Sequence, residues 1–493
     1  MTLTRRLTRA RDEIRETARS FGLDFYEVIF EMVSWEQMNE VAAYGGFPIR
    51  YPHWRFGMEY ERLSKGHAYG LSKIYELVIN NDPCIAYLQE SNEAVDQKLV
   101  MAHVYGHCDF FKNNVYFAHT NRKMIDAMAT HGLLIRRYID RFGLEMVETF
   151  LDQAFSLEHL IDPNRVFLEP RRAPEPGGEE EDDRAAPVPR LRSKEYLDSF
   201  VNPPEYLEEQ RRKLEEERRR RQRFPERPER DILLFLIQHA PLDRWQQDIL
   251  EVIRDEAYYF LPQMQTKIMN EGWASYWHSR IMTEKILDDH EVVDYADHAA
   301  GVFAMPPGTF NPYKVGLELW RDIEQRWNRG QFGPEWEECD SYEEKMNWDT
   351  QAGKGQEKIF EVRRLFNDIS FIDTFLTPDF CDRTQLFVYK WNERTRRYEI
   401  SEREFTAIKQ QLLFQLTNHG QPIIRVIDAN FENRGELLLE HDHQGIDLDL
   451  GYARDTLRNL TRLWRRPANI RTRMGERERL LMHDGQEFKE TKI

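Results

Sequence analysis

Cysteine is scarce: four residues in 493, Cys84, Cys108, Cys339 and Cys381, with no CxxC pair. That excludes a disulfide framework and a cysteine-based zinc ribbon. Nowhere does an uninterrupted apolar run approach the ~18–20 residues of a membrane helix. The first segment, MTLTRRLTRARDEIRETA, is charged throughout and lacks the apolar stretch of a secretory signal. The expectation is a cytoplasmic protein of a reduced compartment, with no membrane partner. No P-loop, dinucleotide fingerprint, GxSxG elbow, kinase motif or internal repeat is present. Positive charge is also in deficit. Lys and Arg number 69 against 86 Asp and Glu, a net charge of −17, which argues against nucleic acid as a partner of the whole molecule.

Aromatic residues are plentiful, with 11 Trp, 21 Tyr and 29 Phe, and this excludes wholesale disorder. A chain of this length buries a large core and divides into domains. Helical periodicity dominates residues 1–168. Phe25, Val28, Ile29 and Met32 fall at helical spacing, ended by Gly45-Gly46 and Pro48. HWRFGMEYERLSKG reads as irregular. Helical spacing resumes in LSKIYELVI, VDQKLVMAHVYGHCDFF and RKMIDAMATHGLLIRRYIDRFG. Residues 169–230 form a charged, Pro/Gly-rich insertion whose EYLEEQRRKLEEERRRRQR suits a solvated helix. Helices return over 231–380. From 381 to 493 the period changes. TQLFVYKW, PIIRVIDANF, GELLLEHDH and GIDLDL read as strands, with helices at EREFTAIKQQLLFQLTNHG and GYARDTLRNLTRLW and a closing Asp-Gly hairpin in LLMHDGQEF. The expected fold is a mainly α-helical body, α+β overall, with a small α+β C-terminal domain.

The chemistry concentrates in two segments. In MAHVYGHCDFF, His103 and His107 are four residues apart, so one helix face offers two imidazoles to one metal. In NEGWASYWH, Glu271 and His278 are two turns apart and also share a face. Together the four make a nitrogen/oxygen donor set suited to zinc, iron or manganese. Two histidines on such a helix are also compatible with hydrogen-bonded core residues. The pairing resembles gluzincin metallopeptidases, in which an HExxH helix precedes an NEGxA helix. Here Val104 stands where that motif has its catalytic Glu, and the interval from His107 to Glu271 is longer. Glu256, Tyr105 and Glu31 are candidates for a substitute base. Glu27 and Glu31 form a further carboxylate pair at i,i+4, for which a solvated face is the simpler reading.

Three other features carry charge. His53, Arg55, Glu59, Glu61, Arg62, Lys65 and His67 cluster among aromatics, as a polar cleft or as a salt-bridge network. His441-Asp442-His443 reads as exposed. Residues 451–480 hold nine Arg and three acids, net +6. Arg454, Arg458 and Arg462 repeat every four residues, a stripe for an anion or acidic partner, or one neutralised by the protein's own acids.

The runs SWEQMNEVAAYGGFPIRYPHWRFGMEYERL, LVMAHVYGHCDFFKNN and IMNEGWASYWH strongly resemble the SpoVR family (stage V sporulation protein R and its relatives) over both parts of the helical body and into the C-terminal domain. The resemblance marks His103, His107, Asn113, Glu271 and His278 as motif residues. It implies a role linked to the spore cortex, a peptidoglycan layer, and to stress responses. Implied partners are a serine protein kinase and a von Willebrand-type protein, with a further link to peptidoglycan amidases. A regulator or accessory factor fits best, with a metal-dependent hydrolase and an anion or nucleic-acid binder acting through the C-terminal Arg stripe as rivals.

Overall fold

The computed structural model describes residues 3–68, 76–168, 191, 198–221 and 223–492. The chain forms two units: Met1–Glu148 with Tyr258–Gly420, and Thr149–Ala257 with Gln421–Ile493.

The first unit is built around three helices. The histidine helix, Ala94–Asn113, is buried all round from Val100 to Phe111, as expected of a helix apolar on every face. The glutamate helix, Lys267–Ile281, places Trp273 and Trp277 wholly inside the core. The tyrosine helix, Pro312–Arg329, starts with Pro312 in its first turn. Its cap Asn311 accepts from the Tyr313 and Lys314 amides, and left-handed Gly330 ends it. The glutamate helix meets the other two at glycines. A Cβ on Gly106 would lie 2.7 Å from the Cα of Ala274, and one on Gly272 would lie 2.4 Å from the carbonyl carbon of Gly316. The backbones therefore touch, and no side chain fits between them.

A three-stranded sheet flanks these helices in the order β1-β3-β2. Strand β1 (Val28–Val33) runs parallel to β3 (Cys84–Gln89), with Val28 opposite Cys84, and β2 (Leu77–Ile79) is antiparallel to β3. Here the helical reading of Phe25–Met32 fails. VIFEMV is β-branched and aromatic, and it pairs with a strand 56 positions later in register, which no local spacing discloses. Glu27 and Glu31 consequently share no helix face. Of LSKIYELVI, the start lies outside the described residues and Leu77–Ile79 is strand. HWRFGMEYERLSKG is helical within Trp54–Ala68. Its ion pairs Arg62–Glu59 and Lys65–Glu61 are exposed and local, which is the salt-bridge reading; the His67 side chain lies outside the description.

The second unit contains a five-stranded sheet ordered β10-β9-β8-β7-β6. Its strands are β6 (Ile424–Phe431), β7 (Glu436–His441), β8 (Ala468–Met474), β9 (Arg477–His483) and β10 (Phe488–Lys492). The helix Leu450–Trp464 connects β7 to its parallel neighbour β8. GIDLDL is not a strand: Asp449 accepts from the Tyr452 amide and caps that helix. Strand β8, ANIRTRM, was hidden by its arginines. The α+β character expected of the C-terminal region holds.

The divisions fall at 148/149, 257/258 and 420/421, whereas the sequence reading put them at 168, 230 and 380. Packing explains the offset. The hairpin β4 (Val388–Asn392) and β5 (Arg397–Glu402) follows Leu386, which is buried with Ile408 in the same core as Trp320 and Phe375. Conversely, Phe235 meets Trp464 at 5.8 Å between ring centres, and Glu229 bridges Val426. Within the insertion, Pro204–Arg221 is helical.

Gly272→Ala should lower stability by at least about 2 kcal/mol, because backbone rather than a movable side chain opposes the added methyl. Gly57→Ala, the fourth residue of the helix Trp54–Ala68 and with nothing within 4 Å, should raise it by up to roughly 0.5–1 kcal/mol. Urea unfolding of both variants checks the contrast.

Candidate metal centre

The histidine and glutamate helices run antiparallel across the Gly106–Ala274 contact. His103 meets His278 on one side of it, and His107 meets Asn270 on the other. The two Nε2 atoms turn toward Glu271, whose Oε2 lies 3.7 Å from His103 and 3.5 Å from His107. Glu76, in the segment entering β2, adds a second carboxylate, with its Oε2 3.2 Å from His103 Nε2. One ligand atom from each of Glu76, His103, His107 and Glu271 lies within 4.8 Å of all the others. Ligands about 2.0–2.2 Å from a tetrahedral ion stand roughly 3.3–3.6 Å apart, close to the three separations above. His103 Nε2 and Glu271 Oε2 are buried and make no hydrogen bond. A buried donor and acceptor left so is costly unless something else binds them. The donor set fits a divalent transition metal. The imidazoles are almost wholly enclosed, whereas Glu76 and Glu271 keep 19 % and 17 % of their side-chain exposure. Solvent therefore reaches the centre from the carboxylate side.

The surrounding groups respond to that enclosure. Burial opposes charge on His107, but the Glu271 carboxylate outweighs it and holds the imidazole up to about 9. Burial would raise Glu271, yet His103 and His107 keep it below the usual carboxylate range. His278, buried beside charge on His103, is held well below the ordinary histidine value. The Tyr313 hydroxyl donates to Glu76 Oε1 at 3.2 Å. Burial and the two neighbouring carboxylates push it far above the usual phenol range.

Two buried carboxyls outside the centre hold the glutamate helix in place. Asp109 accepts from the Trp273 indole at 2.8 Å and from the Asp24 amide at 2.8 Å. Burial pushes it up to about 6, against the pull of Arg363. Asp368 accepts from the Ile268 and Met269 amides at 2.8 and 2.9 Å, capping the helix from 100 residues away. Burial raises it to about 7.

The structure brings together three of the four expected ligands and sets His278 apart. Its Nδ1 lies 2.8 Å from His103 Nδ1, on the edge of that ring facing away from the carboxylates. Asn113 is a tether, donating to the carbonyls of Asp24 and Asp109. None of the candidate bases joins the cluster. Tyr105 packs between Phe25 and Phe30 in the core. Glu256 belongs to the second unit, and Glu31 projects from β1. The residues missed from sequence are Glu76 and Tyr313. Each is a single residue in an unremarkable segment, with no spacing to mark it. His441, expected to be exposed, is buried and within 2.8 Å of Thr472 Oγ1. Arg454, Arg458 and Arg462 are exposed along Leu450–Trp464, and Arg458 pairs with Asp455 at 2.8 Å.

Fold and site define a mainly helical α+β protein with a two-histidine, two-carboxylate cluster in its helical unit. The chain belongs to the SpoVR family. The family model described as SpoVR like protein matches residues 2–421, and that described as SpoVR-like C-terminal domain matches 422–474. The chain is also similar to the protein YcgB of Escherichia coli (strain K12), 33 % identical over 487 residues, covering 92 % of this chain and 89 % of that protein. No solved structure matches it. Among the described residues, no helix is long and apolar enough to cross a membrane.

Asp368→Ala strips two amides of their acceptor and should cost about 1–3 kcal/mol. The cost should depend on pH. The native carboxyl keeps its proton up to about 7, whereas the unfolded chain releases it near 4. The wild type therefore loses stability as pH rises through that window, and the variant lacks this loss. The gap between them should narrow from pH 4 to pH 7 in denaturant titrations.

Proposed function

We propose that this protein holds one divalent transition-metal ion on His103, His107, Glu271 and Glu76, and works as a cytoplasmic accessory or regulatory factor. The observation that carries the metal is the convergence of four donors with two buried atoms unbonded. Family membership supports the setting: spore cortex and peptidoglycan formation, and stress response. The serine protein kinase, the von Willebrand-type protein and the peptidoglycan amidases are the partners of that setting. Zinc, iron and manganese all suit the donors.

A hydrolytic reading has its own observation, the contact of Tyr313 with Glu76 at the open side of the cluster. An ion there would polarise a carbonyl or phosphoryl oxygen and acidify water. In that reading His103, His107 and Glu271 would hold the ion and leave its fourth position to water, and Glu76, off the ion, is the carboxylate placed to accept a proton in the absence of an acid at position 104, with the Tyr313 hydroxyl beside it. An enzyme of this kind is a metal-dependent hydrolase whose base comes from the segment entering β2 instead of the histidine helix.

Elemental analysis of untagged protein tests the reading. Wild type should carry close to one ion per chain, and His103→Ala/His107→Ala should carry none while retaining its circular dichroism. Metal-free wild type would return both histidines to the core. Hydrolysis of peptides or peptidoglycan fragments that disappears in Glu76→Gln would favour the enzyme over the regulator.

A further inference from the structure

Each ligand histidine has its second ring nitrogen against the glutamate helix. His107 Nδ1 lies 2.9 Å from Asn270 Oδ1, and His103 Nδ1 lies 2.8 Å from His278 Nδ1. An imidazole that gives its Nε2 lone pair to a metal carries its hydrogen on Nδ1. Both Nδ1 atoms must then donate. Asn270 presents an oxygen, which can only accept. His278 accepts if its own hydrogen sits on Nε2, the atom that is buried and without a hydrogen-bond partner.

We propose that His278 and Asn270 are positioning residues that fix the tautomer and ring plane of His103 and His107, and that His278 is not a metal ligand. This rests on the metal reading above and extends it. One helix then supplies a ligand, Glu271, together with both orienting acceptors. A single-residue slip of that helix against its neighbour would remove all three contacts at once. The Gly106–Ala274 contact sets the register and keeps the helices close enough for ring-to-side-chain hydrogen bonds. It also separates the two similar imidazoles of the segment by role: His103 binds, and His278 orients.

Zinc-loaded wild type, examined by X-ray absorption at the zinc edge, should show two imidazoles and oxygen donors. Zinc titration against a competing chelator should show affinity reduced about 10–100-fold in His278→Leu and in Asn270→Leu. Asn270→Asp keeps the acceptor and should stay close to wild type. His278→Leu, once loaded, should still show two imidazoles. Three imidazoles in wild type, falling to two in His278→Leu, would make His278 a ligand and overturn the proposal. So would unchanged zinc affinity in both His278→Leu and Asn270→Leu. The imidazole count in wild type decides the matter even where a variant fails to fold. Wild type that takes no zinc, iron or manganese removes the metal reading itself, and this proposal with it, a result distinct from metal bound by three imidazoles.

Discussion

The closeness of three helix backbones is the constraint on which the rest of the first unit depends. Gly106 against Ala274 and Gly272 against Gly316 leave no room for a Cβ. Each contact also sits within a few residues of the chemistry. Gly106 lies between His103 and His107, Gly272 follows Glu271, and Gly316 is one turn beyond Tyr313. Backbone contact at those points turns helix spacing into a cluster of ring nitrogens and carboxylate oxygens 3.2–3.7 Å apart. Ordinary helix packing at 8–10 Å between axes leaves room for side chains at the interface.

Such closeness buries charge, and the surrounding structure offsets the cost in particular ways. Within the cluster the carboxylate of Glu271 and the imidazole of His107 favour each other's charged forms. Outside it, Asp109 and Asp368 sit in the same apolar interior, each held by hydrogen bonds to the glutamate helix. A buried carboxyl that accepts two backbone amides costs less than one with no partner, and it specifies where the helix must begin. The Trp273 indole adds a second fixed point, through Asp109 on the histidine helix. These groups make the register of the two helices the arrangement in which Asp109 and Asp368 both meet their donors.

What was legible in the sequence follows the same physics. His103, His107 and Glu271 could be read because helix period converts spacing into a shared face. The Leu450–Trp464 helix and the Asp484-Gly485 turn declared themselves by local pattern for the same reason. Strand β1 did not, because its identity depends on pairing with Cys84–Gln89, and its apolar residues fit a helix equally well. Nor did the unit boundary, since the β4–β5 hairpin and Ile408 are assigned to the helical unit by burial against Trp320 and Phe375. Glu76 and Tyr313 reach the site from separate segments. Only the folded chain shows that they meet. His278 was legible as a neighbour of the site, but its role was not. Spacing places a ring on a face and does not say which nitrogen points where.

Val104 brings these threads together. In the peptidase motif that MAHVYGH resembles, a glutamate at that position serves the metal site. Here the position is fully enclosed in the apolar core, in one cluster with Tyr105, Cys108 and Trp273. A carboxylate there would be buried among groups that cannot pair with it, and would lose its charge or the fold. The tight, aromatic interior that brings the ligands together therefore also removes the acid from position 104. Any carboxylate beyond Glu271 has to enter from the exposed side. Glu76 does so from the segment leading into β2, where it is partly exposed and Tyr313 gives it a hydrogen bond. The departure from the motif and the appearance of a fourth donor are thus two consequences of one packing arrangement.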